Sequence, residues 1–166
     1  MLFRSVRTAV TVYVIQDELH VGLVLPMRGG YVEFGFGDWE WFARAQDRWY
    51  HVFATVLVPT PGTLARREHA VDSAAALQEA LPWVRLQPIT VDYARAEALR
   101  ARLAAQFAAR ESEAVYRTGL RMQFVPWDRS YWFGDNCATA VVEWLRELDC
   151  TASWVPLLLN VSVVAH

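Results

Sequence analysis

Three short apolar runs, joined by tight polar turns, confine the first third of this chain to an antiparallel meander. Residues 10–15 are rich in β-branched and aromatic side chains, and the polar turn Gln16-Asp17-Glu18 follows. The second run, 19–26, ends at Pro26 and the turn Met27-Arg28-Gly29-Gly30, and residues 31–36 form the third. Residues 39–46 read as a short helix, and 49–58 as a fourth strand ending at Pro59. The middle of the chain turns helical. An alanine-rich helix over 73–81 stops near Pro82, an extended segment over 83–91 is interrupted by Pro88, and Asp92 caps a long helix over 93–110. In that helix Tyr93, Ala96, Leu99, Arg100, Leu103 and Phe107 follow a largely helical period. A loop over 111–126 and the segment 127–134 then feed a helix opening at Cys137. The apolar tail 154–164 reads as a last strand or packing segment. The expected fold is α+β: one domain over 1–166, with helices packed on an antiparallel, barrel-like sheet.

Composition narrows the function classes. An apolar share of 54% with 20% charged residues suits a chain that buries one substantial core. The net charge of −2 offers no broad basic field for nucleic acid. Every basic residue is arginine, so a Schiff-base lysine, a phosphate-loop lysine and a Ser-Lys dyad are all excluded. Cys137 and Cys150, thirteen positions apart and read as opposite ends of one helix, lie beyond bridging distance there. Two free thiols point to a reducing, cytoplasmic setting, and the N-terminal stretch lacks a signal-peptide core. No stretch is long enough to be a transmembrane segment. None of the four histidines belongs to a metal-ligand spacing, so neither a metal nor another cofactor is expected.

The chemistry gathers at Cys137. A thiol in the first helical turn meets the positive end of the macrodipole and unpaired backbone N–H groups. That setting lowers its pKa and supplies donors for an oxyanion. His20, at the start of the second run, is the candidate base, with Gly22 leaving room beside the ring. The alternation sets His20 on one face with Gly22 and Val24. A third polar group has to orient the imidazole, and Glu33 on the neighbouring strand is preferred to Asp38 at that strand's end. Tyr131 and Asn136 could assist the oxyanion, with capping the simpler role for Asn136. His51 and His69 are weaker candidates, His69 lying in a charged segment expected to be exposed. Aromatic residues at 39–41 and 127–132 serve either as core or as walls of an apolar groove.

The segments LHVGLVLP (19–26), YVEFGFGD (31–38) and SYWFGDNCATAVVEWL (130–145) resemble the circularly permuted branch of the NlpC-type papain-like superfamily. That branch includes the lecithin–retinol acyltransferase group, and the whole chain looks like an uncharacterised bacterial family within it. The resemblance spans most of positions 10–150. It implies a permuted papain-like fold, with Cys137 as nucleophile, His20 as base and Glu33 as orienting residue. The reaction expected from it is hydrolysis or acyl transfer on an amide, peptide or ester bond through a thioester. The substrate would be a small molecule, a peptide or a lipid-like acyl compound. Two other readings stand beside it: a non-catalytic ligand-binding module of the same fold, and a membrane-associated lipid handler using the apolar tail.

Overall fold

The structure, a computed structural model, describes residues 8–17, 20–45, 57–155 and 160–165. The meander is present. Strand β1 (Ala9–Gln16) pairs antiparallel with β2 (Val21–Met27), and β2 pairs with β3 (Gly30–Asp38). The β2–β3 turn is only Arg28 and Gly29, and the next glycine is sterically required. Gly30 has φ 153°, and a β-carbon there would lie 2.1 Å from the carbonyl oxygen of His69.

The fourth strand of the meander is β4 (Thr60–His69), which pairs along the whole of β3. The strand expected over 49–58 lies mostly outside the described residues, as does His51. β4 continues the meander where charged residues had suggested an exposed segment. Both of its faces are covered at its centre, Leu64 on one and Ala65 on the other, and the arginines Arg66 and Arg67 are set toward its end. The helix expected over 39–46 is a single π-helical turn, Trp39–Ala43, capped by the Asp38 carboxylate, which accepts the Trp41 N–H at 2.7 Å.

Helix α1 (Ala74–Ala80) leads to β5 (Arg85–Asp92), which folds back beside β1. Pro88 does not interrupt β5, because an edge strand tolerates a residue without an N–H. Asp92 caps α2 (Tyr93–Ala108) by accepting the Arg95 N–H. That helix buries Ala96, Leu99, Leu103 and Phe107, while Tyr93 is half exposed. The stretch expected as a loop over 111–126 instead makes a 3-10 turn and the hairpin β6 (Val115–Arg117) and β7 (Met122–Tyr131). Helix α3 (Cys137–Glu147) follows, and the tail forms a separate hairpin of β8 (Cys150–Val155) and β9 (Asn160–Ala165). Cys150 therefore opens a strand instead of ending the Cys137 helix, and both thiols are free.

Among the described residues the main sheet has seven strands in the order β5-β1-β2-β3-β4-β7-β6. It is α+β and antiparallel throughout, but it is open, with β5 and β6 as edges, so the barrel-like closure expected from the sequence is absent.

The two faces of this sheet are covered differently. Val12, Val14, Val21, Leu23, Leu25, Phe34, Phe36 and Leu64 point to one face, where α2, α3 and Val161 of the β8–β9 hairpin complete a continuous core. The opposite face carries two smaller clusters. One gathers Tyr13, Ile15, Val24, Leu77 and Leu81 beneath α1, and the other gathers Ala43, Ala65, Met122 and Phe124 beside the π-helical turn.

Candidate functional site

Cys137 takes the position expected of it, the first residue of a capped helix. The Asn136 side chain accepts the Ala138 N–H at 2.9 Å and the Thr139 N–H at 3.3 Å, and the Thr139 hydroxyl accepts the Asn136 N–H at 2.8 Å. Asn136 is thus the cap, and the preceding Asp135 anchors Arg129, accepting from its Nε at 2.8 Å. The thiol is 1% exposed and belongs to the core of the first face. The Tyr131 hydroxyl and the amides of Val21, Ala138 and Cys137 itself face the sulfur.

The surroundings of the thiol oppose its ionisation. Burial pushes its pKa above the ordinary value and outweighs the opposing pull of the Val21 amide, the Tyr131 hydroxyl and the helix-start amides. Burial likewise drives the Tyr131 phenol upward, as do the neighbouring sulfur and Asp38. This direction is opposite to the lowering expected from the helix N-terminus, because desolvation of the charged form is the larger effect.

His20 is not joined to Cys137. Along β2 the side chains of Val21, Leu23 and Leu25 enter the α3 face and Val24 enters the other, so His20, one residue before Val21, projects away from α3. Its ring lies over Gly35, where a β-carbon would come 2.7 Å from Cε1 and 2.8 Å from Nε2. Phe42 flanks it with ring centroids 5.8 Å apart. The sulfur and the imidazole therefore occupy opposite faces of the sheet, although the Val21 amide that faces the sulfur belongs to the peptide joining it to His20.

Glu33 shares the face of His20 but holds other partners. It stands opposite Arg67 in the β3–β4 register, and its Oε2 accepts from Arg67 Nε at 2.9 Å and forms an ion pair with Nη2 at 2.7 Å. His69 Nε2 lies 3.0 Å from the same oxygen, and His69 is buried, contrary to its expected exposure. Burial alone would raise the Glu33 pKa. The His69 hydrogen bond, the Arg67 charge and His20 together bring it below the ordinary value, so this fully buried carboxyl is held ionised. Arg67 Nη1 also donates to the Leu120 carbonyl at 3.0 Å.

Asp38, the alternative orienting residue, is engaged in its capping bond and in a hydrogen bond from the Thr60 hydroxyl. The aromatic residues do not share a groove. Trp127 and Tyr131 pack on Phe36 in the first face, at centroid distances of 5.1 Å and 5.3 Å, whereas Trp39 belongs to the second.

Between the two clusters of the second face lies a pocket of about 190 Å³. Ile15 and Val84 bound it on one side, Phe42 and Met122 on the other, and Asp17, His20, Glu33 and Arg67 line its polar part. The exposed Trp83 and Leu120 stand at its rim. Three buried polar atoms of the lining residues lack a hydrogen-bond partner: Nδ1 and Nε2 of His20, and Oε1 of Glu33. Burial holds the imidazole neutral, lowering its pKa with help from Arg67 and against the fields of Glu33 and Asp17. Asp17 Oδ1 accepts the His20 backbone N–H at 2.7 Å, which fixes the residue at the mouth of β2. No cluster of ligating side chains suited to a metal occurs among the described residues.

Arg67 escaped the sequence reading, and His69 entered it only as a weaker candidate in a segment expected to be exposed. The one available signal was Glu33 itself, since a carboxylate inside a strand demands a cation, but sixteen arginines competed for that role.

The chain matches no family model, no curated protein and no solved structure. No helix among the described residues is long and apolar enough to cross a membrane.

Proposed function

We propose that this chain is a small-molecule-binding module whose ligand occupies the pocket of His20, Glu33 and Arg67. One observation carries the reading: two residues that line a single pocket, His20 and Glu33, hold three buried polar atoms without partners. A buried donor or acceptor left unpaired costs about 1–3 kcal/mol, and native interiors keep few of them. Their concentration on one pocket marks it as a place built to be filled. A fragment library monitored through the imidazole ¹H–¹⁵N signals of His20 tests this. Binders that shift those signals support it. A pocket in which ordered waters satisfy all three atoms and no fragment moves the signals overturns it.

A second reading has its own support, thiol acyl chemistry on a permuted papain-like fold. The Cys137 sulfur sits at a capped helix start, beside the peptide that links Val21 to His20. This chemistry requires the imidazole to turn to the α3 face, take the thiol proton, and later return it to the leaving group as the thioester forms. Alkylation against pH separates the two readings. Acyl chemistry requires Cys137 to titrate below the free-thiol value of about 8.5, with His20→Ala abolishing the depression. The binding reading expects Cys137 and Cys150 both to react slowly and to titrate above that value.

A further inference from the structure

We propose that Trp83 and Leu120 are the two jaws of the pocket mouth and hold a single-ring aromatic ligand between them. This inference rests on the binding reading and specifies its ligand through side chains that reach the surface.

Both jaws are apolar side chains left in water on turns that the fold holds still. Trp83 is 61% exposed, although Leu81 and Val84 in the same turn are buried. That turn closes through the Val84 N–H, which donates to the Leu81 carbonyl at 3.3 Å. Gln78 of α1 pins it further, its side-chain amide donating to the Leu81 carbonyl at 2.9 Å and to the Val84 carbonyl at 3.1 Å. Leu120, 39% exposed, lies on the β6–β7 turn. Its N–H donates to the Arg117 carbonyl at 3.1 Å, and its own carbonyl accepts from Arg67 Nη1 at 3.0 Å. The next residue, Arg121, takes φ 52°, a left-handed conformation that residues other than glycine seldom adopt. Turns fixed before a ligand arrives lose little freedom when it binds.

The space behind the jaws fits one ring. It measures about 190 Å³, and an apolar cavity of about 150 Å³ takes up benzene. Ile15, Phe42, Val84 and Met122 give it apolar walls. A flat aromatic ring stacks on the Trp83 indole and meets the Met122 sulfur, contacts from which a saturated ring of the same size gains less. The polar lining sets Asp17 and Glu33 against Arg67 and Arg121, so neither sign of charge is favoured and the jaws carry the selection.

Benzyl alcohol and cyclohexylmethanol, which differ only in the ring, decide the matter in parallel NMR titrations. The reporter is the Trp83 indole ¹H–¹⁵N signal, identified by its loss in Trp83→Leu. Benzyl alcohol is expected to bind and shift that signal, with cyclohexylmethanol about fivefold weaker. Trp83→Ala is expected to weaken benzyl alcohol about tenfold without lowering Tm, because the side chain is mostly in water. Leu120→Ala, on the other jaw, is expected to weaken it about threefold. Equal or tighter binding of cyclohexylmethanol overturns the aromatic class. Benzyl alcohol binding that ignores both substitutions overturns the jaws, and so does a failure of both probes to bind. The binding reading outlives any of these results if the wider fragment library still moves the His20 signals, and falls with them if it does not.

Discussion

At the scale of single residues, the second face of the sheet is dominated by one ionised carboxyl and one neutral imidazole. Both carry a pH signature with a defined sign. The folded state lowers the His20 pKa from 6.5, so below that value the unfolded chain takes up a proton that the folded protein resists, and stability falls. Glu33 is also lowered, from 4.5, so its contribution is complete above 4.5 and is lost as the pH drops through the folded value. Two acid phases are therefore expected in urea titrations against pH. The upper one begins near the ordinary histidine range, with a slope of at most about 1.4 kcal/mol per pH unit, and is absent in His20→Phe. The lower phase persists in that variant. An upper phase unchanged in His20→Phe would assign it to another group. His20 and Glu33 were legible in the sequence as functional candidates, but their relation was not. Glu33 was read as the group that orients His20, whereas Arg67 and His69 hold it, because the register of a strand hidden among charged residues put them there.

At the scale of elements, helix starts were the most readable features. Ser73, Asp92 and Asn136 each cap the helix they precede, and each does so through a side-chain oxygen that accepts a backbone N–H two or three residues on. This chemistry is local, so neighbouring residues suffice to specify it. The same cap limits what α3 can do. The Ala138 N–H, nominally an oxyanion donor, is already given to the Asn136 side chain. Asn136→Ala should lower stability by about 1 kcal/mol in urea denaturation and fray the first turn of α3 in hydrogen exchange. An effect within experimental error would mean that packing alone holds the helix start. Strands were harder to read. β4 carries Arg66, Arg67 and Glu68, and β7 carries Asp128 and Arg129, so charge concealed an alternation that the β4–β7 pairing makes plain. The pairing also shifts register between Pro61 and Gly62, where a β-carbon on Gly62 would lie 2.1 Å from the Arg129 carbonyl oxygen.

At the scale of the whole molecule, the sheet divides the protein into a continuous core and a broken one. Trp144 is fully buried where α3 meets the first face, packed beside Trp127 at 6.4 Å. Trp144→Ala should cost about 3–5 kcal/mol. Leu77→Ala, in the smaller cluster beneath α1, should fall at the lower end of the roughly 2–5 kcal/mol range for leucine, because a short helix over a small cluster can settle into the space. Chemical denaturation of both variants checks the ranking, and a larger loss at Leu77 would show that the second face is packed as tightly as the first. The amino-acid sequence alone determined the α+β class, the opening meander and the caps at Asp92 and Asn136. All of these depend on periodicity and capping within a few residues. Only the tertiary structure decided which candidates meet. Successive residues of a strand face opposite ways, so one position separates Val21, beside the sulfur, from His20, beside Glu33. The sheet itself then stands between the thiol and the imidazole, and the polar groups left facing each other form a pocket on the side away from the cysteine.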